Sequence, residues 1–364
     1  MKSMRRSRRA RWAVPAVAIA GVAAAIGGGA LLAGASSPAL PDKSAAELLA
    51  EVHNAEKQPF SGTLVQTSRL GLPALPGLEG DDHHTTSLLS MLTGSNTARI
   101  WYAGPEQFRF ALMGAFDETN VIRDGSDFWI WYSSTNTADH LNLPPAFTLP
   151  EAFATPKMPI TPDQAAEHML GELDETTQVT VDGTAEVAGR AAYELVVSPR
   201  DDRSLIGDVR FAIDADTSMP LRFEINARDG GDPAFEVGFT SVTFSEPSAE
   251  VFRFNPPPGA DVTERTLFDL MSRDKAPMMT EPPEVYGEGW TSVLVLDEVT
   301  VPEDDESGLV DALLSAGTRV EGSYGAGTLF ETALVSALWL DDGTLLVGAV
   351  TPDVLEETAE GLDP

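Results

Sequence analysis

The sequence contains no cysteine, so it has no disulfide framework, no thiolate metal site, no thiol nucleophile and no cysteine to carry a lipid anchor. Histidine is scarce, with five residues restricting imidazole chemistry to His53, His83, His84, His140 and His168. Basic charge is short as well: 24 Lys and Arg stand against 56 Asp and Glu, a net charge of −32. A phosphate backbone is bound by lysine and arginine that release counterions, so this balance excludes nucleic acid as a partner. A Gly-x-Ser-x-Gly elbow, a His-Glu-x-x-His pair and a phosphate-binding loop are all missing. No repeat of roughly 20 to 50 residues runs through the chain, which argues against a solenoid or propeller.

The basic charge that is present gathers at the N-terminus. Lys2, Arg5, Arg6, Arg8, Arg9 and Arg11 precede an apolar run from Trp12 to Ala35, and no acid occurs before Asp42. Without residues 1–35, 18 basic groups face 56 acidic ones, a charge of −38. The pattern reads as a signal peptide or an N-terminal transmembrane anchor. The run exceeds the roughly 20 residues of a bilayer span, whereas its alanine and glycine content and the small-residue site Ala33-Gly34-Ala35 suit cleavage. Either way the basic end stays in the cytoplasm and the acidic body is exported, so the expected location is extracytoplasmic, in a periplasm or cell envelope. Ala35 stands where a lipoprotein box needs cysteine, which excludes acylation there.

After a short polar spacer, Ser44 with Glu47 forms a capping box for a helix whose apolar stripe is Leu48, Leu49, Val52 and Ala55. From Phe60 the period changes to two. Alternating segments follow at 60–69, 98–103, 106–113, 128–132, 191–198, 208–214, 221–228 and 235–244, and they predict an antiparallel sheet of many strands. Asp124-Gly125, Asp182-Gly183 and Asp229-Gly230 are hairpin signals. One helix interrupts the sheet, with Thr161 as N-cap, Pro162 in its first turn and Ala165, Ala166, Met169 and Leu170 on its buried side. The alternation stops near Phe252 to Gly259. A linker is expected over 264–284 and a small α+β unit over 285–360, with a strand from Trp290 to Val301, a helix capped by Ser307, a hairpin around Asp342-Gly343 and a last helix from Thr351-Pro352.

The search for chemistry yields little. His83-His84 beside Asp81-Asp82 is a local cluster of metal-capable side chains, but adjacent loop residues rarely converge as the three or four ligands a metal needs. Asp201-Asp202, Asp304-Asp305 and Glu356-Glu357 sit in polar surroundings that cannot separate their acidities into acid and base roles. No catalytic residue, metal site or cofactor is expected, and the protein is read as a non-enzyme. Apolar surface is the unusual feature. Phe128-Trp129-Ile130-Trp131-Tyr132 puts large side chains on both faces of one strand, so neither face suits water. The stretch from Leu70 to Leu92 is too leucine-rich for an ordinary loop. These groups either complete a core under helices lying on the sheet or line an apolar cavity with a mobile cover. On the second reading the cavity residues are Trp101, Phe110, Met113, Trp129, Trp131, Leu72, Leu75 and Leu89, with Trp129 and Trp131 on one strand face and Phe128, Ile130 and Tyr132 on the other.

The order of features resembles the LolA-like periplasmic lipoprotein-carrier superfamily, with the RseB/MucB-type envelope-stress regulators as close relatives. The carrying residues are the helix 45–55 followed by Pro59-Phe60-Ser61-Gly62-Thr63-Leu64-Val65, the strand Pro105-Glu106-Gln107-Phe108-Arg109-Phe110, and Arg123-Asp124-Gly125 leading into Phe128 to Tyr132. Gly189 to Leu195, Asp214 to Phe223 and the closing Phe252 to Val262 add to it. The resemblance covers about residues 42–263. It implies an α+β fold, a strongly curved antiparallel half-barrel with helices covering its concave face, and an apolar cavity for acyl chains without catalysis. It implies as partner a lipid or acylated protein cargo or, on the regulator side, a membrane-bound regulatory protein such as an anti-sigma factor. The Leu70 to Leu92 insertion and the 285–360 unit depart from a minimal soluble carrier.

Overall fold

A computed structural model of the chain describes residues 40–55, 57–71, 93–114, 116–144, 161–162, 175–266, 284–297 and 315–362. The period-two segments are strands. The first run is a meander of β1 (Phe60–Arg69), β2 (Thr93–Gly104), β3 (Gln107–Met113), β4 (Glu118–Asp124), β5 (Asp127–Tyr132) and β6 (Thr137–Asn142). The second is β7 (Thr177–Val187), β8 (Arg190–Pro199), β9 (Ile206–Asp214), β10 (Pro220–Ala227) and β11 (Phe235–Thr243). Pairing of β1 with β11 fuses the two meanders, and β12 (Asp261–Arg265) adds to β6, giving one twelve-stranded sheet in the order β12-β6-β5-β4-β3-β2-β1-β11-β10-β9-β8-β7. Among the described residues only the β12–β6 pair is parallel. Although β8, β9 and β10 separate them in the sheet, β7 and β11 touch. The sheet is therefore strongly curved, and among the described residues it is not closed into a barrel.

Helix α1 (Ala45–Asn54) starts on the expected capping box, Ser44 receiving the Glu47 N–H while Glu47 receives the Ser44 N–H. Leu48 at its centre is fully buried in a core with Phe60, Leu64 and the inward side chains of β8–β11, such as Leu195, Phe211, Phe223 and Val237. The sheet face that carries this core is called inner below. Lys43 lies over the Tyr193 ring, and the Tyr193 hydroxyl donates to the Pro41 carbonyl at 3.0 Å, which pins the helix entry to β8. Among the described residues α1 is the one helix on the inner face; the helix expected from Thr161 falls outside them beyond Thr161 and Pro162.

One turn signal and one boundary resolve differently from expectation. Asp182-Gly183 is not a hairpin: Gly183, at φ +80°, makes a bulge within β7, where pairing with β8 shifts between Val181 and Thr184. The β7–β8 hairpin turns instead on Ala188 and Gly189, both at positive φ as a two-residue primed turn requires. Glu264 and Arg265, placed by the sequence in a linker, complete β12.

A second sheet follows, built from β13 (Glu284–Tyr286), β14 (Val293–Leu296), β15 (Thr318–Gly322), β16 (Gly325–Glu331), β17 (Ser336–Leu340) and β18 (Leu345–Gly348) in the order β13-β14-β18-β17-β16-β15. The strand expected from Trp290 begins only at Val293, because Gly289–Thr291 forms a 3₁₀ turn. Helix α2 (Pro352–Gly361) seals one face of this sheet with Val354, Leu355 and Ala359 over Leu338, Leu346 and Val350. The two sheets are joined by backbone bonds: Leu205 N–H donates to the Ala349 carbonyl and Thr351 N–H to the Arg203 carbonyl, each at 2.9 Å. Trp290 packs against the first core and donates from Nε1 to Thr177 Oγ1 at 2.8 Å.

Candidate functional site

The inner face changes character along the sheet. Over β8–β11 most of its apolar side chains are buried, with Ile225 half-buried. Over β2–β5, away from α1, a group of them is only half-buried, Ile100, Tyr102, Phe108, Phe110, Leu112, Val121, Ile130 and Tyr132, beside buried Ala98, Phe128 and Leu141. Strand register lines them up. Ile100 stands opposite Phe110, Phe110 opposite Val121 and Val121 opposite Ile130, one apolar row crossing four strands. The row ends at Asp139, opposite Ile130, which is buried and accepts from Arg265 Nε at 2.7 Å. Leu64, Gln66, Asn96, Ala98, Phe110, Leu112 and Val237 enclose a hollow of about 10 Å³, the room of about one water. Asn96 donates to Gln66 across it at 2.7 Å. Among the described residues this part of the inner face is thus an apolar wall, not a preformed closed cavity.

The opposite face of the same strands has its own cover. After β11 the chain crosses the back of β3–β6 as a strap, with the 3₁₀ turn Ala249–Phe252 against β3 and β4, before reaching the sheet edge as β12. Phe252 is fully buried. Phe254 lies over both tryptophans of β5, with ring centroids 5.3 Å from Trp129 and 5.7 Å from Trp131. Arg109 fixes the strap by donating to the Val251 carbonyl at 3.3 Å, while Nε and Nη2 clasp Asn120 Oδ1 at 2.9 and 2.7 Å. Its guanidinium also sits 5.7 Å from the Trp101 ring. His140 stacks on Trp129 at 4.0 Å between the carboxylates of Asp127 and Glu264, each at 3.0 Å.

The sequence-predicted cavity residues therefore divide. Phe110 belongs to the inner wall, while Trp101, Met113, Trp129 and Trp131 alternate onto the strap side. The pairing of Trp129 with Trp131 on one face, and of Phe128, Ile130 and Tyr132 on the other, is as expected, but the helix-bearing face is that of Phe128, Ile130 and Tyr132. Leu72, Leu75 and Leu89 lie outside the described residues, as do His83 and His84. Ile100, Phe108, Leu112, Val121, Ile130 and Tyr132 were not among the sequence's cavity residues. Their signal was register: two-residue steps from Phe110 give Phe108 and Leu112, and the Asp124-Gly125 turn sets Val121 opposite Ile130.

Charge lies elsewhere. Across the back of β8–β11, Arg222 bonds Glu194 at 2.7 Å and Glu224 at 2.9 Å. Burial, with help from Glu236 and Glu194 and against Arg222 and Arg210, raises the Glu224 carboxyl above the usual range. At the end of β9, Asp214 is buried; burial alone would raise its carboxyl, but bonds from Arg190 and from the N–H and hydroxyl of Thr217 outweigh it and hold the group below the usual range. Among the described residues no group of three or more His, Asp and Glu is placed to hold a metal ion, and no helix is long and apolar enough to cross a membrane. Residues 1–39, with the basic cluster and the apolar run of the N-terminus, are outside them.

Comparison with known proteins gives a family and distant structural neighbours. Residues 81–264 match the family described as "Predicted periplasmic protein (DUF2092)". No curated protein matches the chain. Among solved structures, a chain of the Pseudomonas aeruginosa MucA/MucB complex is 19% identical, over 86% of this chain and 96% of that one, with a TM-score of 0.42. A LolA superfamily protein, NE2245 from Nitrosomonas europaea, is 9% identical over 58% and 99%, with a TM-score of 0.23. An uncharacterized conserved protein from Thermus thermophilus is 14% identical over 61% and 99%, with a TM-score of 0.33.

Proposed function

The chain belongs to the DUF2092 family of predicted periplasmic proteins, and on that premise we propose that it is a non-enzymatic extracytoplasmic binding protein that holds the acyl chains of a lipid or acylated protein against the inner wall of β2–β6. The observation that carries this reading is a burial contrast within one continuous face: most apolar side chains are sealed over β8–β11, whereas a group on β2–β5 is half-open beside buried Ala98, Phe128 and Leu141. An acyl chain needs nothing else from a site, since each methylene removed from water contributes about 0.8 kcal/mol without a directed bond. Saturable binding of a fluorescent fatty acid by the purified protein, and recovery of lipid on solvent extraction, are the expected results. A protein that yields no lipid and shows only linear, non-saturable probe uptake refutes the proposal.

A protein-interaction role, with a membrane-bound regulatory protein as partner, is the second reading. It is favoured by the face of the second sheet turned away from α2, where Val285 and Leu294 stand side by side and exposed. Co-purification of one membrane protein that is lost on removing residues 285–364, with no lipid recovered, is the result that selects it.

A further inference from the structure

We propose that the β3–β4 hairpin tip is a membrane-contact point, with Phe116 inserting into the surface of a lipid bilayer and Met113 beside it. Phe116 is fully exposed and Met113 more than one-third exposed, both on one tight connection. The tip is held from both sides. Gly114 N–H donates to the Asp117 carbonyl at 2.9 Å, and Glu118 exchanges bonds with Ser133 of the next turn, at 2.7 Å to its hydroxyl and 3.0 Å from its N–H. A ring presented on a bound turn loses little further freedom when it enters another phase.

The size of the feature selects the partner. A stable protein interface covers roughly 800 Å² on each side, which two side chains cannot supply. A bilayer surface needs no shape complementarity, and one or two inserted side chains suffice when the chain has a second attachment that raises their effective concentration. The basic and apolar sequence of residues 1–35 fits such an attachment. Asp117 and Glu118 directly follow Phe116, so the tip suits a zwitterionic surface and is repelled by an anionic one. The proposal does not depend on acyl binding by the inner wall.

Because the chain has no cysteine, Phe116→Cys in the full-length protein offers a single site for an environment-sensitive nitrobenzoxadiazole label. Ser126→Cys, exposed in the β4–β5 turn at the other end of the sheet, is the control. Phosphatidylcholine vesicles should shift the emission at 116 to the blue and expose it to quenching by spin-labelled lipid, with no change at 126. Adding phosphatidylglycerol should shrink the response. A water-like label at 116, equal responses at both sites, or a response that grows with anionic lipid overturns the proposal. Fatty-acid binding in vesicle-free solution should be equal for both labelled proteins, so this inference and the acyl-binding reading can fail separately.

Discussion

Ile130 and Trp131 are neighbours on β5 that point to opposite faces, which makes them a matched pair for asking where the site lies. Ile130 is half-buried on the inner wall. Trp131 is 6% exposed under Phe254 on the strap side. A carboxylate at 130 would deny an acyl chain the contact of two or three methylenes, about 2 kcal/mol, or roughly 30-fold in affinity. Its effect on folding should be about 2 kcal/mol, because the position is half-open but stands directly opposite the buried carboxylate of Asp139. Truncating Trp131 removes a buried ring, which costs about 3–5 kcal/mol and lowers the melting temperature by about 10 °C for a domain of this size. Ile130→Asp should therefore bind a fluorescent fatty acid about 30-fold more weakly, measured below its transition, with a smaller loss of melting temperature than Trp131→Ala. Trp131→Ala should melt early and, below its transition, bind normally. Loss of binding in a normally melting Trp131→Ala, together with native affinity in Ile130→Asp, would refute the assignment of the faces.

Other outcomes follow from individual environments. Glu224 has a raised carboxyl pKa, so its ionised form opposes folding, and stability is lost as pH rises through the folded-state value. Glu224→Gln should melt later than the parent at pH 7, with the gain vanishing below about pH 4. Asp214 has the opposite sign: its contribution is present at neutral pH and lost as pH falls below the ordinary aspartate range through its lowered value. Asp214→Asn should cost about 2 kcal/mol at pH 7 in urea unfolding, the difference narrowing as pH falls below the ordinary aspartate range. At Gly62 a Cβ would sit 2.6 Å from the Ser241 carbonyl oxygen and 2.8 Å from the Phe239 ring. Gly62→Ala should lower the unfolding free energy by about 2 kcal/mol, and a native urea midpoint would show that β1 and β11 are less closely apposed than the structure has them.

Much of this fold is written in local pattern. The Ser44–Glu47 box, the alternation of β1, β3, β5 and β8–β11, and the turns after Asp124, Asp229 and Asp342 all depend on neighbours within a few residues, and the sequence carries them openly. Positive φ at Gly183 is equally legible, but a bulge and a hairpin both use it, and only the partner strand decides. The site was half legible for a related reason. The aromatic run of β5 announces two apolar faces. What covers each face depends on α1, which lies about 80 residues before it, and Phe254, more than 120 after. No periodicity reports contacts at that range, so Trp129 and Trp131 read as the cavity although the strap covers them. The half-open wall was hidden because Ile100, Val121 and Ile130 look like any strand residues until register sets them in one row.

The junction of β1 with β11 also determines how the chain assembles. Within each meander the strands pair with sequence neighbours, so β2–β6 and β7–β11 can each zip from their own short connections on fast, local contacts. The β1–β11 seam has no such route, since Ser61 must find Thr243 and Ser68 must find Phe235. β6 likewise waits for β12 to cover its edge. Until both seams close, the chain carries unpaired strand edges beside its most apolar surface, the condition under which β proteins aggregate or pair wrongly. Closure of these two seams is therefore the expected slow step of folding, and variants that weaken them should appear first as lower yield on refolding and only later as lost stability.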